Sequence, residues 1–236
     1  QELYYRNVQS MTTNMQLSDK TLNLLKNFAG INQSILFKQG KTIRTISVMK
    51  NILAEVNVDE EFERDFGIYN LNEFLNAMSL YQDPQLDFKN ESYVSIREGK
   101  TRSKYFFADP AVIVTPPDKS ITLPSEDVSF ELNTQQLDKL LKAAAVYGVP
   151  DLSVIGENGV VKIVVRDKKN DTSNDYAVVV GETSASFCLN FKVENIKILP
   201  GSYNVTISSK LLSRFVSEDK NLVYYIALEP DSTYDE

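Results

Sequence analysis

Hydrophobic and polar positions fall into two rhythms along this chain, one of helical and one of strand spacing, and the same succession comes round twice. From Leu17 to Ile31, Leu22, Leu25, Phe28 and Ala29 form one apolar stripe, and Lys20, Asn23, Lys26 and Asn27 form the opposite polar one. That spacing predicts an amphipathic helix, with Ser18 as N-cap and Asp19 in the first turn, where a carboxylate suits the helix dipole. Short strands are predicted at Ile35–Phe37, Thr42–Val48 and Ile52–Val58, the last from strict alternation, with Gln39-Gly40 as a hairpin turn between the first two. Asn70, followed three residues on by Glu73, has the form of a capping box. Leu71, Phe74, Leu75 and Met78 then give a second apolar stripe, and Asn72, Glu73, Asn76 and Ser79 its polar back. Strands follow at Leu86–Phe88, Tyr93–Arg97 and Lys104–Phe107.

Residues 108–127 carry Pro110, Pro116, Pro117 and Pro124 and read as an extended connector, since proline removes backbone donors and biases its predecessor toward extended geometry. The pattern then restarts. Asn133 caps a helix with Gln136 at its third position; Leu137, Leu140, Leu141 and Ala144 are its apolar stripe. Strands are predicted at Leu152–Ile155, Val160–Arg166, Tyr176–Val180 and Ala185–Leu189, and a short fourth helix from Phe191 to Leu199, ended by Pro200-Gly201. Three strands close the chain: Tyr203–Ser208, Leu211–Ser217 and Leu222–Glu229. Leu17, Leu22 and Leu25 map onto Leu132, Leu137 and Leu140 at an offset of 115, and Tyr69, Leu71 and Phe74 onto Phe191, Val193 and Ile196 at 122. The expectation is an α+β chain of two similar domains, 15–107 and 130–236, joined by a connector over 108–129. Residues 1–14 stand outside the pattern; QELYYRNVQS reads as an added leader or frayed extension ahead of Met11 or Met15.

Composition narrows the chemistry. The 236 residues are 42% hydrophobic and 24% charged, a globular balance without a run long enough to be a transmembrane helix. There is no histidine, which removes His-based triads, His-ligated zinc and histidine general bases. The single cysteine, Cys188, cannot form an internal disulfide and fits a reducing cytoplasm; within its apolar run it reads as a small core residue. Asp167, Asp171 and Asp175 lack the ligand pattern and glycine of a calcium loop, and no glycine-rich phosphate loop occurs. The Asn-x-Ser/Thr triplets at Asn32, Asn90, Asn170 and Asn204 read as chance matches in a cytoplasmic chain. No metal, cofactor or catalytic residue is expected, and the chain reads as a non-enzyme. The net charge of −7 argues against a nucleic-acid binder only if the charge is spread evenly.

Ordered motifs over nearly the whole chain carry a resemblance. They are Leu17-Ser18, Thr21, Leu24 to Ala29 and Ile31-Asn32 in the first helix, then Ile68-Tyr69, Leu71-Asn72, Phe74-Leu75 and Ser79-Leu80 around the second. Ala108-Asp109-Pro110 opens the connector, Pro200-Gly201 precedes Tyr203, and Ala227-Leu228-Glu229, Asp231-Ser232-Thr233 and Asp235 form the tail. The sequence resembles the sliding clamps, or DNA polymerase processivity factors, of T-even-like bacteriophages. It departs at Pro230, at Glu236 and between Arg166 and Asp175.

The resemblance implies the DNA-clamp fold: a homotrimeric ring with helices lining a channel and antiparallel sheets outside. It implies duplex DNA bound without sequence preference, the replicative DNA polymerase and a clamp-loader ATPase as partners, and a role with late transcription factors. The setting would be the cytoplasm of the infected bacterial host, with no membrane partner. Four helices from each of three subunits, at about 10 Å per helix, close a ring about 38 Å across its axes, leaving about 28 Å for a duplex. Its DNA-facing set would be Lys20, Lys26, Asn27, Asn72, Asn76, Lys139, Lys142, Lys192 and Lys197. Mobile lysines suit sliding on phosphates, although the same residues also read as ordinary solvated helix faces. A partner-peptide pocket is expected at Val112, Val114, Leu123, Leu228 and Pro230, because Ala111 to Val114 is too apolar for a free linker. The acidic groups Asp59, Glu60, Glu61, Glu63 and Asp65, read as a loop, and Glu229, Asp231, Asp235 and Glu236 in the tail would keep DNA off the outer surface. The rival reading is a phage capsid or baseplate subunit with a duplicated α+β domain, which has no reason to repeat a lysine–asparagine stripe.

Overall fold

The computed structural model describes residues 14–219 and 221–235. The extension expected at 1–14 therefore lies outside the described residues except for Asn14, which with Met15 forms a short strand, β1, paired to Leu86 and Asp87. The described residues divide into two compact units, 14–48 with 56–116, and 49–55 with 117–219 and 221–235.

In the first unit, β1 is followed by α1 (Asp19–Ile31), β2 (Ile35–Phe37), β3 (Gly40–Ile46) and β4 (Ile52–Phe62), whose residues from Val56 onward belong to this unit. Then come β5 (Phe66–Ile68), α2 (Leu71–Met78), β6 (Gln85–Asp87), β7 (Tyr93–Glu98) and β8 (Thr101–Phe106). The sheet order is β1-β6-β7-β8, with β3 beside β4. The hairpin expected at Gln39-Gly40 is not formed as such: β2 pairs with β5, not β3, in the register Ile35–Ile68 to Phe37–Phe66. The reason is apolar. Phe37 stacks on Phe66 with centroids 4.5 Å apart, and Phe62, Phe88 and Phe107 extend the cluster, so β2 is held where its aromatic ring is buried. The β5 strand itself was too short to stand out in the sequence pattern. Gly67 lies where the connector returns: a Cβ there would sit 2.8 Å from Ile113 Cδ1 and 2.9 Å from the Ala108 carbonyl oxygen. The Ala108 N–H donates to the Gly67 carbonyl at 2.9 Å, so only glycine lets the two backbones come together.

The second unit runs β9 (Val128–Leu132), α3 (Thr134–Tyr147), β10 (Asp151–Glu157), β11 (Val160–Arg166), β12 (Tyr176–Glu182) and β13 (Ser186–Lys192). It closes with β14 (Tyr203–Ser208), β15 (Leu212–Ser217), β16 (Leu222–Ala227) and β17 (Thr233–Asp235). One sheet is ordered β12-β11-β10-β13-β17; in the other, β16-β15-β14-β9 is continued beyond β16 by β4. The 115-residue offset is kept at the helix starts, Asp19 and Thr134, and at their caps, Ser18 and Asn133.

The fourth helix is not present. Phe191 is drawn into β13, fully buried opposite Leu152, and the helix expected to follow is one 3₁₀ turn, Val193–Asn195. Lys192 gives that turn no side-chain cap. Further along, the backbone of Leu199 is taken by two buried tyrosines: its N–H donates to the Tyr224 hydroxyl at 3.0 Å, and its carbonyl accepts from Tyr203 at 2.5 Å. Burial drives both phenols upward, Tyr224 to about 12 and Tyr203 further, so both remain neutral hydrogen-bonding groups. With those groups committed and β-branched residues at Val193, Ile196 and Ile198, a longer helix has neither backbone partners nor propensity.

Candidate nucleic-acid interface

Helix α1 is held at its N-terminus by a carboxylate from a distant strand. The Ser18 side chain accepts from the Thr21 N–H at 3.2 Å, while Glu60 accepts from the Ser18 N–H at 3.0 Å and from the Thr21 hydroxyl at 2.8 Å. A negative charge there meets the positive end of the helix dipole. Thr21, Leu24, Leu25, Phe28, Ala29 and Ile31 are buried, which leaves Lys20, Asn23 and Lys26 exposed and Asn27 half-buried. Asp59, Glu60 and Glu61 are thus part of a strand rather than a loop, because buried Val58 and Phe62 alternate with them, and Glu60 is a helix cap rather than part of a repelling surface.

Helix α2 is capped by Asn70, whose side chain accepts from the Glu73 N–H at 3.1 Å. Glu73 turns its carboxylate to the Tyr105 hydroxyl at 2.8 Å; burial first, then this acceptor, pushes the Tyr105 phenol well up, so it stays a donor. Asn72 and Asn76 are exposed on the same helix.

Helix α3 begins with a complete capping box between Asn133 and Gln136 and ends at Gly148 in left-handed geometry. Leu137, Leu140 and Ala144 are buried, and Lys139 and Lys142 are exposed. Lys142 meets Asp138 at 2.9 Å in the favourable i,i+4 order, but with side chains 73% and 53% exposed the pair contributes only about 0.3–0.5 kcal/mol and leaves the lysine mobile. The last turn, Ala144 to Tyr147, carries no charge, so both cations of α3 lie ahead of it, in the middle of the helix. Lys192 and Lys197 are exposed but not helical: Lys192 ends β13, 3.6 Å from Glu229, and Lys197 follows the 3₁₀ turn.

The five expected pocket residues differ sharply in exposure. Val112 is 60% exposed and Val114 half-buried in the first unit, where Ile113 between them takes the buried position. In the second unit Leu123 and Leu228 are buried and Pro230 is exposed. Leu123 and Leu228 are therefore core side chains, and the exposed apolar groups of the set are Val112 and Pro230. Sequence reasoning passed over Val48 and Met49, 65% and 83% exposed, because they sit at the end of a predicted strand run.

The acidic tail is anchored. Asp231 meets Lys168 at 2.7 Å and accepts from the Asn190 side chain at 3.2 Å, while β17 pairs with Ser186–Cys188 and Tyr234 stacks on Phe187. The Lys168 contact, opposed by some desolvation and aided by Asn190, holds the Asp231 carboxyl below the usual carboxylate range. Burial pulls Lys168 down, but Asp231, with Asp151 and Glu229 behind it, leaves the ammonium above the usual lysine range. Cys188 is half-buried beside Arg166 and Asn190 rather than in the apolar core, since its side of β13 faces polar neighbours. Glu236 lies outside the described residues.

Among the strands that end their sheets within the described residues are β8 in the first unit and β12 in the second. Each exposes a large apolar side chain, Phe106 (64%) and Val179 (58%).

Residues 17–115 match the family described as DNA polymerase processivity factor, and residues 129–230 match gp45 sliding clamp, C terminal. The sliding clamp of Escherichia phage RB69 is 32% identical over 230 residues, covering 94% of this chain and 100% of that protein. The chain belongs to the phage sliding-clamp family. The sliding clamp of Vibrio phage KVP40 is 31% identical over 222 residues and is covered to 99% of its length. Among solved structures, the clamp resembles that titled "C-terminal region of FEN-1 bound to A. fulgidus PCNA", with TM-score 0.69 and 14% identity over 94% of this chain and all of the other. It also resembles the DNA polymerase III subunit beta of Pseudomonas aeruginosa, with TM-score 0.68 and 15% identity over 92% of this chain and 66% of that one. At such identities these likenesses show the fold, in which each unit of this clamp presents a capped helix with paired lysines on its polar face.

Proposed function

We propose that this clamp closes as a homotrimeric ring around duplex DNA and tethers the replicative DNA polymerase, without catalysing a reaction itself. A clamp-loader ATPase opens the ring, late transcription factors use the same tether, and the work takes place in the cytoplasm of the infected bacterium. The domains are 15–107 and 130–236, with 108–129 as connector.

The observation that carries this reading is the repeated exposed helix face, Lys20 and Lys26 on α1 and Lys139 and Lys142 on α3, in a chain whose net charge is −7. Such a face offers phosphates mobile charges without fixed geometry, and the acidic remainder makes other paths unfavourable. Asn27, Asn72 and Asn76 add neutral polar contacts; Lys192 and Lys197 are the weaker members of the set, since neither is on an α-helix. The uncovered edges β8 and β12, with Phe106 and Val179, support head-to-tail closure, in which one subunit's first unit meets the next subunit's second. The partner-peptide set Val112, Val114, Leu123, Leu228 and Pro230 is assigned to a polymerase tail peptide, and Val112 and Pro230 are its exposed apolar members, each within its own unit.

The test is retention. A loaded trimer should stay on a DNA circle and leave when the circle is cut. Equal, loader-independent binding to circles and to open linear duplex would overturn the ring reading.

A further inference from the structure

Strand β3 ends its sheet, with β4 as its ladder partner among the described residues. Gly40, Lys41, Thr42 and Arg44 of this strand, with Lys38 and Thr115, line a cleft of about 200 Å³ whose apolar wall is Leu36 and Pro116. No carboxylate lines it; Asp65 stands behind, 3.5 Å from Lys38 and 2.7 Å from the Gln39 N–H. Lys41 and Arg44 are three positions apart on a strand, so their side chains leave on opposite faces and flank the open edge. One lysine on an edge is a common guard against strand-to-strand aggregation. Three cations and two threonines around a cleft, in a chain carrying a net charge of −7, form a local inversion of charge.

We propose that the β3 edge is a docking site for an extended acidic peptide segment of a partner protein. The segment adds as a strand beside β3 and places two carboxylates, three residues apart, against Lys41 and Arg44. Backbone hydrogen bonds along the edge supply a sequence-independent part of the binding, and the paired charges select the partner. A nucleic acid would satisfy the charges but lacks the alternating N–H and C=O row that an edge demands. A second copy of β3 would set lysine against lysine and arginine, and like charges on adjacent strands repel.

The experiment uses the full chain and three labelled eight-residue peptides of threonine and valine. The first has two aspartates three positions apart, the second has them two apart on one face, and the third has lysines in their place. Fluorescence anisotropy at low salt reads binding, and amide exchange reads protection at residues 40–44. The first peptide should bind best and slow exchange there; Lys41→Glu should weaken it at least tenfold, and Lys41→Glu with Arg44→Gln should abolish it. The Lys41→Glu variant alone suffices to decide, because Lys41 is exposed and its replacement leaves the core intact. Unchanged binding by the variants, or equal binding of the lysine peptide, would overturn the proposal. Displacement of the peptide by a short duplex that itself depends on Lys41 would reassign the edge to nucleic acid, and concentration-dependent association lost in Lys41→Glu would reassign it to a second copy.

Discussion

A single lysine on an exposed helix face contributes little to folding, which makes its function separable. Replacing Lys26 and Lys142 together by glutamate removes charges away from the buried stripe and should cost within about 0.5 kcal/mol per site. In the proposed trimer six charges would invert around one hole, so loading and processive synthesis should fall, most at low salt where phosphates are least screened. Primer-extension length and thermal unfolding, measured side by side, check this; normal synthesis at low salt would place these lysines elsewhere. Asp231 gives the matching prediction for the tail. Its carboxyl titrates below the unfolded range of about 3.9, so the contact with Lys168 stabilises the tail above that range and is lost as pH falls through the lowered folded value. Lys168 is raised, so its half of the pair persists until pH climbs through the raised lysine value. Amide exchange at Thr233–Asp235 should be slow at neutral pH and accelerate in acid, and Asp231→Asn should be fast already at neutral pH.

The helices show how much an element depends on its ends. Asn133→Ala removes an acceptor and one half of a capping box, and should lower stability by about 1 kcal/mol in a denaturant titration. Glu60→Gln should cost the α1 terminus its charge while keeping an acceptor, a smaller loss than Glu60→Ala, which removes the partner of both Ser18 and Thr21. Helix α2 and the 3₁₀ turn at Val193–Asn195 start at the same 122-residue offset yet end differently. Asn70 caps the first, whereas Lys192 caps nothing, and the tyrosine pair on Leu199 holds the second in place. The repeat is therefore legible at the starts of elements and not at their ends, because a cap is local and a backbone group claimed from 25 residues away is not.

At the scale of the molecule, charge and oligomer size are coupled. In the proposed trimer, three chains of net charge −7 total −21, so any attraction to DNA must come from a localised face. The mass in solution should be near 80 kDa, three chains of 26.7 kDa each, by light scattering. Phe106→Asp or Val179→Asp should shift it toward the monomer by burying a charge in the proposed contact between β8 and β12, without unfolding either unit, since both side chains are exposed in the isolated chain. A trimer that survives both changes would move the contact to another edge.

Local spacing alone determined the apolar stripe of α2 and most of those of α1 and α3, where Leu24 rather than Leu22 is buried and Leu141 is half-buried, their caps at Ser18, Asn70 and Asn133, and the duplication that relates the first and third of these helices. The ordered motifs from Leu17 to Asp235 were sufficient to suggest the family. These features are legible because each is encoded within one or two helical turns or one strand. Only the tertiary structure decided that β2 pairs with β5, that Glu60 caps α1, that Ile113 rather than Val112 is buried, and that Lys168 holds Asp231. It also decided that Phe191 belongs to a strand and left β3, β8 and β12 as edges. Each of these rests on which segment arrives from tens of residues away to bury an apolar side chain or claim a polar group, and a sequence periodicity carries no record of that choice.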